Sequence, residues 1–256
     1  MFDNRKLVIA TKHKKESVIS PLIEKALNVE CFVPNNFDTD TFGTFSGEIK
    51  RHKDALSTVK AKCLLAMERT NCSLGIASEG SFGAHPTVFF ATANEEFLIF
   101  IDLKNNLEIV VRELSLSTNF DGKRLESEAD LVQFASKIQF PSHGLILKDA
   151  ENSCSECQKD FENLDQILES YQYFINNFGV CYVETDMRAM NNPTRMLVIE
   201  NATQKLIDKI QSCCPICQTL GFGVTNLVSG LRCEWCNLPT KSTLACIYEC
   251  KNATIF

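Results

Sequence analysis

The sequence predicts a mixed-sheet α/β domain over residues 1–212 followed by a small zinc-ribbon domain over 213–256, and three observations carry that reading. Short apolar runs alternate with helix-period patterns through the first third of the chain, which is how strands interleaved with helices read. A central block of apolar runs turns around Asn105-Asn106, a hairpin signal that adds antiparallel strands to the sheet. Of thirteen cysteines, Cys31, Cys63, Cys72 and Cys181 sit singly among apolar residues, and the remaining nine cluster after residue 150 at a spacing that points to metal rather than to disulfides.

The elements follow in order. "KLVIA" (6–10) reads as a buried strand, "KESVISPLIEKAL" (15–27) as a helix, and "VECFV" (29–33) as a second strand. The polar loop 34–51 leads into a helix with Ala55, Val59, Cys63, Ala66 and Met67 on one face. "SLGIAS" (73–78) is a further strand, ending in a glycine-rich loop within "GIASEGSFGAHP" (75–86). "TVFFATA", "EFLIFIDL" and "LEIVVRELSL" supply the strand-like central block. A helix near 125–138 precedes the strand "GLILK" (144–148). Phe161, Leu164, Ile167, Leu168, Tyr171, Ile175 and Phe178 then mark an amphipathic helix within 160–178. "VCYVET" (180–185) is a strand, and residues 194–211 form the last helix of the domain.

Composition bounds the function. Net charge is −6, with 45% hydrophobic and 23% charged residues, which is ordinary globular usage and disfavours a protein that coats nucleic acid. The first fifteen residues lack the apolar core of a signal peptide, and no apolar run is long enough to cross a bilayer. A cytoplasmic protein without a membrane partner is expected.

In the tail, Cys214-x2-Cys217 and Cys233-x2-Cys236 are separated by fifteen residues. Two such knuckles suit one structural zinc ion held by four thiolates with no open position. Cys154, Cys157, Cys246 and Cys250 are candidates for a second site, and Cys213 reads as a bystander.

Four polar segments flank apolar strands, where ligands collect in open α/β sheets. In "ATKHKKE", Lys12 and Lys14 sit before a helix start, a place that suits phosphate; a solvated basic turn is the alternative. The loop "DTDTFGTFSGEIKR" carries Glu48 and Arg51. The glycine stretch carries Ser78, Glu79, Gly80, Ser81 and His85, with Gly80 placed to let backbone approach a ligand. "ETDMRAMNNPTRM" carries Glu184 and Asp186 on one face of a strand end, then Arg188, Asn192 and Arg195; structural ion pairs would account for the same residues.

Together, "IATKHKKE", "GTFSGEIKR", "GIASEGSFGAHP", "ETDMRAMNNPTRM" and the "CPIC…GLRCEWCNLPT" tail resemble a prokaryotic family labelled only as a domain of unknown function. More distantly, the chain is similar to the pyrophosphatases that cleave inosine and xanthosine triphosphates. That similarity implies that Lys12, Lys14 and Lys15 stand in a phosphate-gripping loop, where His13 replaces the family's asparagine, and that Glu48 and Glu79 match its metal and ligand positions.

The expectation is a metal-dependent hydrolase acting on a nucleotide or related phosphate ester. Lys12, Lys14, Arg51, Arg188 and Arg195, with Ser78, Gly80, Ser81 and Asn192, would bind the small phosphorylated ligand. Glu48, Glu79 and Glu184 would bind magnesium or manganese, and Asp186, His85 or Glu79 would serve catalysis. The alternatives are a nucleic-acid- or protein-binding module that uses the ribbon, with Trp235 and Phe222 as stacking surfaces, and a non-catalytic nucleotide sensor.

Overall fold

The apolar run Lys6–Ala10 forms β1, and its Leu7, Val8, Ile9 and Ala10 are buried on both faces. A strand covered on both sides needs helices above and below it, and the chain supplies them. This computed structural model describes residues 1–35, 37, 54–88, 90–152 and 154–252. β1 leads to α1 (Glu16–Leu27), β2 (Glu30–Phe32), α2 (Ala55–Thr70), β3 (Leu74–Ala84), β4 (Thr92–Asp102) and β5 (Leu107–Ser115). The sheet order is β2-β1-β3-β4-β5, parallel from β2 to β3 and antiparallel from β3 to β5.

Side-chain alternation along the strands divides the core in two. Leu7, Ile9, Leu74, Ile76, Leu98 and Phe100 pack under α1 and under a late helix, α5 (Pro193–Gln211). Val8, Ala10, Ala77, Ile99 and Ile101 pack under Val59, Cys63, Ala66 and Met67 of α2. Local signals fix the helix ends. Asp54 accepts from the Ser57 N–H to cap α2, Asn71 closes that helix in the left-handed region, and Asn192 caps α5 just before Pro193.

Between β5 and α5 the chain builds a second sheet. β6 (Gly122–Leu125), α3 (Glu128–Lys137), β7 (Leu145–Lys148), β8 (Cys157–Gln158), α4 (Leu164–Phe178) and β9 (Cys181–Thr185) give an antiparallel sheet of order β6-β9-β7-β8. Phe134, Leu147, Ile167, Phe174 and Val183 form its separate core. The mixed α/β fold is as expected, but "GLILK" and "VCYVET" leave the main sheet for this second one. Their short apolar runs announce strands without announcing partners.

The glycine stretch also differs from its reading as a loop. Residues 74–84 are one strand, paired residue by residue with β4 from Leu74↔Asp102 to Ala84↔Thr92. Gly75 is needed because a Cβ there would collide with Met67 and Cys63 of α2. "TVFFATA" is largely the turn between β3 and β4, where His85 Nδ1 accepts from the Thr87 and Val88 N–H groups.

The tail is a hairpin of β10 (Gly223–Ser229) and β11 (Thr243–Glu249), with almost every residue exposed. No helix among the described residues is long and apolar enough to cross a membrane.

Candidate anion cleft and cysteine centre

β1 stops at Ala10, which lies opposite Ala77 of β3. Among the described residues β3 has no strand neighbour on that side from Ser78 onward, and buried charge gathers beside it. Lys15, at the start of α1, donates from Nζ to Ser78 Oγ at 2.9 Å and lies 3.9 Å from Glu96 Oε2. Arg195, in the first turn of α5, donates from Nε to Glu96 Oε1 at 2.6 Å and from Nη1 to the Met187 carbonyl. Its guanidinium lies over the Phe82 ring, 5.0 Å from the centroid. Two helix starts therefore meet at one carboxylate, and helix N-termini attract negative charge. Across the sheet, Lys62 of α2 pairs with Glu79.

The pairs on the two faces act on each other. Burial, then the Arg195 charge, pushes the Lys15 ammonium down to about 7, and Glu96 and Glu79 offset this only in part. Gly80 serves this arrangement: a Cβ there would run into the Arg195 guanidinium and the Glu96 carboxylate. Its role is to make room for an ion pair rather than for a ligand. Around the cluster, Glu96 Oε2, both side-chain atoms of Asn94 and the Thr11 hydroxyl are buried without a hydrogen-bond partner among the described residues. Beside it, a cavity of about 430 Å³ is lined by Lys14, Ser17, Ala189, Met190, Pro193 and Leu197.

Of the residues expected to converge, the structure gathers Ser78, Gly80 and Arg195 on one face of the sheet, with Asn192 capping the helix that carries Arg195, and turns Glu79 to the other face, against Lys62. Lys12 is exposed just past the end of β1, and Lys14 lines the neighbouring cavity. Ser81 pairs with Glu95 on the opposite face from Ser78 and Gly80. Glu48 and Arg51 lie outside the described residues. Lys15 was named with the phosphate-gripping loop, whereas Lys62, Asn94 and Glu96 were not singled out by sequence. Lys62 and Glu96 stand in helical and strand patterns where a charge reads as solvent-facing, yet both are buried.

The "ETDMRA" residues form a separate network rather than part of this cleft. Asp186, with no exposed surface, accepts from the Arg188 N–H, Nε and Nη2 and from Asn191 Nδ2 at 2.6–3.1 Å. A carboxylate so fully engaged is no free base. Arg188 spends its other contacts on Asp160, which corrects its reading as a phosphate clamp. Glu184 pairs with Lys148 at 2.5 Å in the second sheet, and burial lifts its carboxyl above the ordinary value against the opposing pull of Lys148. It is therefore not beside Glu79 as a common magnesium ligand. His85, expected as a base, organises the turn at the far end of β3.

The cysteine tail also departs from the four-thiolate expectation. Cys214, Cys217 and Cys250 place their sulfurs within 4.8 Å of one another, close enough to hold one metal ion, and Cys217 Sγ lies 3.4 Å from Cys250 Sγ. Thr219, through its hydroxyl and its N–H, and then Cys250 pull the Cys217 thiol down to about 7. Cys233 and Cys236 do not join them. The first knuckle precedes Gly223, which pairs with Glu249, whereas the second follows Ser229, which pairs with Thr243. The two knuckles thus sit at opposite ends of the hairpin, because the segment between them carries the single strand β10 rather than a turn that doubles back. The second site sought from Cys154, Cys157, Cys246 and Cys250 is not assembled among the described residues; Cys250 lies instead beside Cys214 and Cys217.

No curated protein matches the chain. Among solved structures, protein VC0702 from Vibrio cholerae aligns over 80% of this chain and 94% of its own, at 8% identity and a TM-score of 0.35. At that level the likeness carries no argument, and it lends no support to a kinship with the inosine and xanthosine triphosphate pyrophosphatases. Residues 62–255 match the family described as DUF6671, a domain of unknown function, and the chain belongs to that family.

Proposed function

We propose that the gap beside β3, beyond the end of β1, binds a small phosphorylated ligand of the nucleotide class and hydrolyses it with a divalent cation. The observation that carries this reading is the set of buried polar atoms on Glu96, Asn94 and Thr11 that make no hydrogen bond among the described residues, beside Lys15 and Arg195 at two helix starts. Buried polar atoms are almost always satisfied, so such a set calls for a guest or ordered water. Lys15, Lys62 and Arg195 supply positive charge for phosphate oxygens, and Glu79 is the carboxylate for magnesium or manganese. The tail is read as a structural zinc centre, since thiolates in a knuckle suit that ion.

The test is a panel of canonical and deaminated nucleotides incubated with magnesium or manganese, with phosphate and pyrophosphate release followed. Turnover that falls at least tenfold in Glu79→Gln, with the fold retained by circular dichroism, is expected. Absence of both turnover and binding across the panel refutes the reading; tight binding without turnover makes the protein a nucleotide sensor.

One observation favours a second reading. Trp235, on the outer knuckle, is 98% exposed, as a ring that stacks on a base or a partner would be. Phe222 is not available for that role, because it stacks on Tyr248 with centroids 5.6 Å apart. Salt-sensitive retention of single-stranded RNA or DNA, lost in Trp235→Ala, would support this alternative.

A further inference from the structure

We infer that the metal of the tail sits at its root, held by Cys214, Cys217 and Cys250, and that the second knuckle, Cys233 and Cys236, is not part of that centre. This deepens the reading of the tail as a zinc site and rests on it. Zinc–thiolate bonds of about 2.3 Å place tetrahedral sulfurs about 3.8 Å apart, and the three sulfurs already lie within 4.8 Å of one another. The set is soft and anionic, which selects zinc-class ions over magnesium or calcium.

The surroundings fit a fixed anchor. Cys214 is fully buried and its N–H donates to the Thr219 carbonyl, while the Gln218 N–H donates back to the Cys214 carbonyl, closing the knuckle. One residue beyond Cys250, Lys251 Nζ donates to Asn106 Oδ1 at 3.0 Å and to the Asn106 carbonyl, at the tip of the β4–β5 hairpin. On the near side, the chain leaves α5 only at Gln211. The centre therefore joins the entry to the tail and the end of β11 to the α/β domain. Among the described residues three thiolates would fill three of zinc's four tetrahedral positions, leaving the fourth for water or a small exogenous ligand.

The experiment uses the full chain. Zinc bound after dialysis is counted by mass spectrometry, and cobalt is substituted to read sulfur-to-cobalt charge-transfer absorption. The wild type is expected to hold about one ion per chain. Cys250→Ser loses most of it, Cys250→His recovers it with weaker charge-transfer absorption, and Cys233→Ser/Cys236→Ser keeps both ion and absorption. Full occupancy in Cys250→Ser, with loss in the Cys233/Cys236 double variant, overturns the inference and leaves a zinc tail of the four-thiolate kind. No metal in the wild type overturns the zinc reading itself. Because Cys250→Ser could unfold the tail, the histidine variant and the double variant decide between sites.

Discussion

Arg195 Nε donates to Glu96 Oε1 at 2.6 Å, joining the first turn of α5 to the middle of β4 across 99 residues of sequence, with neither side chain exposed. A pair so placed is costly to break, since removing one partner strands the other charge in a medium that solvates it poorly. Arg195→Met is expected to lower stability by about 3–5 kcal/mol in urea unfolding, as is Glu96→Leu, which strands the arginine in turn. Arg195→Met/Glu96→Leu should recover much of the loss. A double variant whose effects simply add would mean that the two groups do not act as a pair.

Gly80 tests the same packing from the backbone side. The methyl of Gly80→Ala meets the Arg195 and Glu96 heads, with the β3–β4 ladder behind it. Overpacking of this kind costs about 1–3 kcal/mol, and thermal unfolding should show it. Gly83→Ala, with nothing within 4 Å of the new methyl, is expected to change little.

Lys15 gives a pH signature. Burial, followed by the Arg195 charge, brings its ammonium down from 10.5 to about 7. Below 7 both folded and unfolded chains carry the proton, and the penalty for burying it is complete. Between about 7 and 10.5 the unfolded chain keeps a proton that the folded chain has shed, so stability rises with pH across that window. The stability difference between wild type and Lys15→Met should therefore shift in favour of the wild type by about 2–3 kcal/mol from pH 7 to pH 9. A constant difference across that range would mean that Lys15 titrates normally.

Arg188 is expected to separate architecture from ligand binding. It is tied to Asp186 and Asp160, so Arg188→Ala should lower the unfolding free energy by about 1–3 kcal/mol. Nucleotide affinity should stay within about twofold. A complete loss of binding in a folded Arg188→Ala variant would return this arginine to the ligand.

Much of the architecture was legible because the apolar period is strong where burial is complete. β1, α1, α2, α4 and α5 stand within a few residues of their sequence patterns. What stayed hidden depended on partners. Glycines in "GIASEGSFGA" read as a loop because the sequence shows missing side chains, not the Met67 and Arg195 groups that fill their space. Lys62 and Glu96 look like surface charges until α2 and α5 cover them. Asp186 and Arg188 were visible as a charged pair, but Asp160, which completes their network, lies far upstream in sequence. In the tail, spacing revealed the knuckles and concealed their register, since only the β10–β11 pairing decides which cysteines face one another.

Among the described residues β5 is the outermost strand of its sheet, paired on one side with β4. Such a border exposes backbone groups that recruit strands from other molecules. Here Lys209 Nζ donates to the Val110 carbonyl, and Gly221, at a backbone angle φ of +86°, lies against Ile109, where a methyl would not fit. The end of α5 and the first turn of the tail thus act as a partial selvedge on the sheet, covering the middle of a margin open to strand addition.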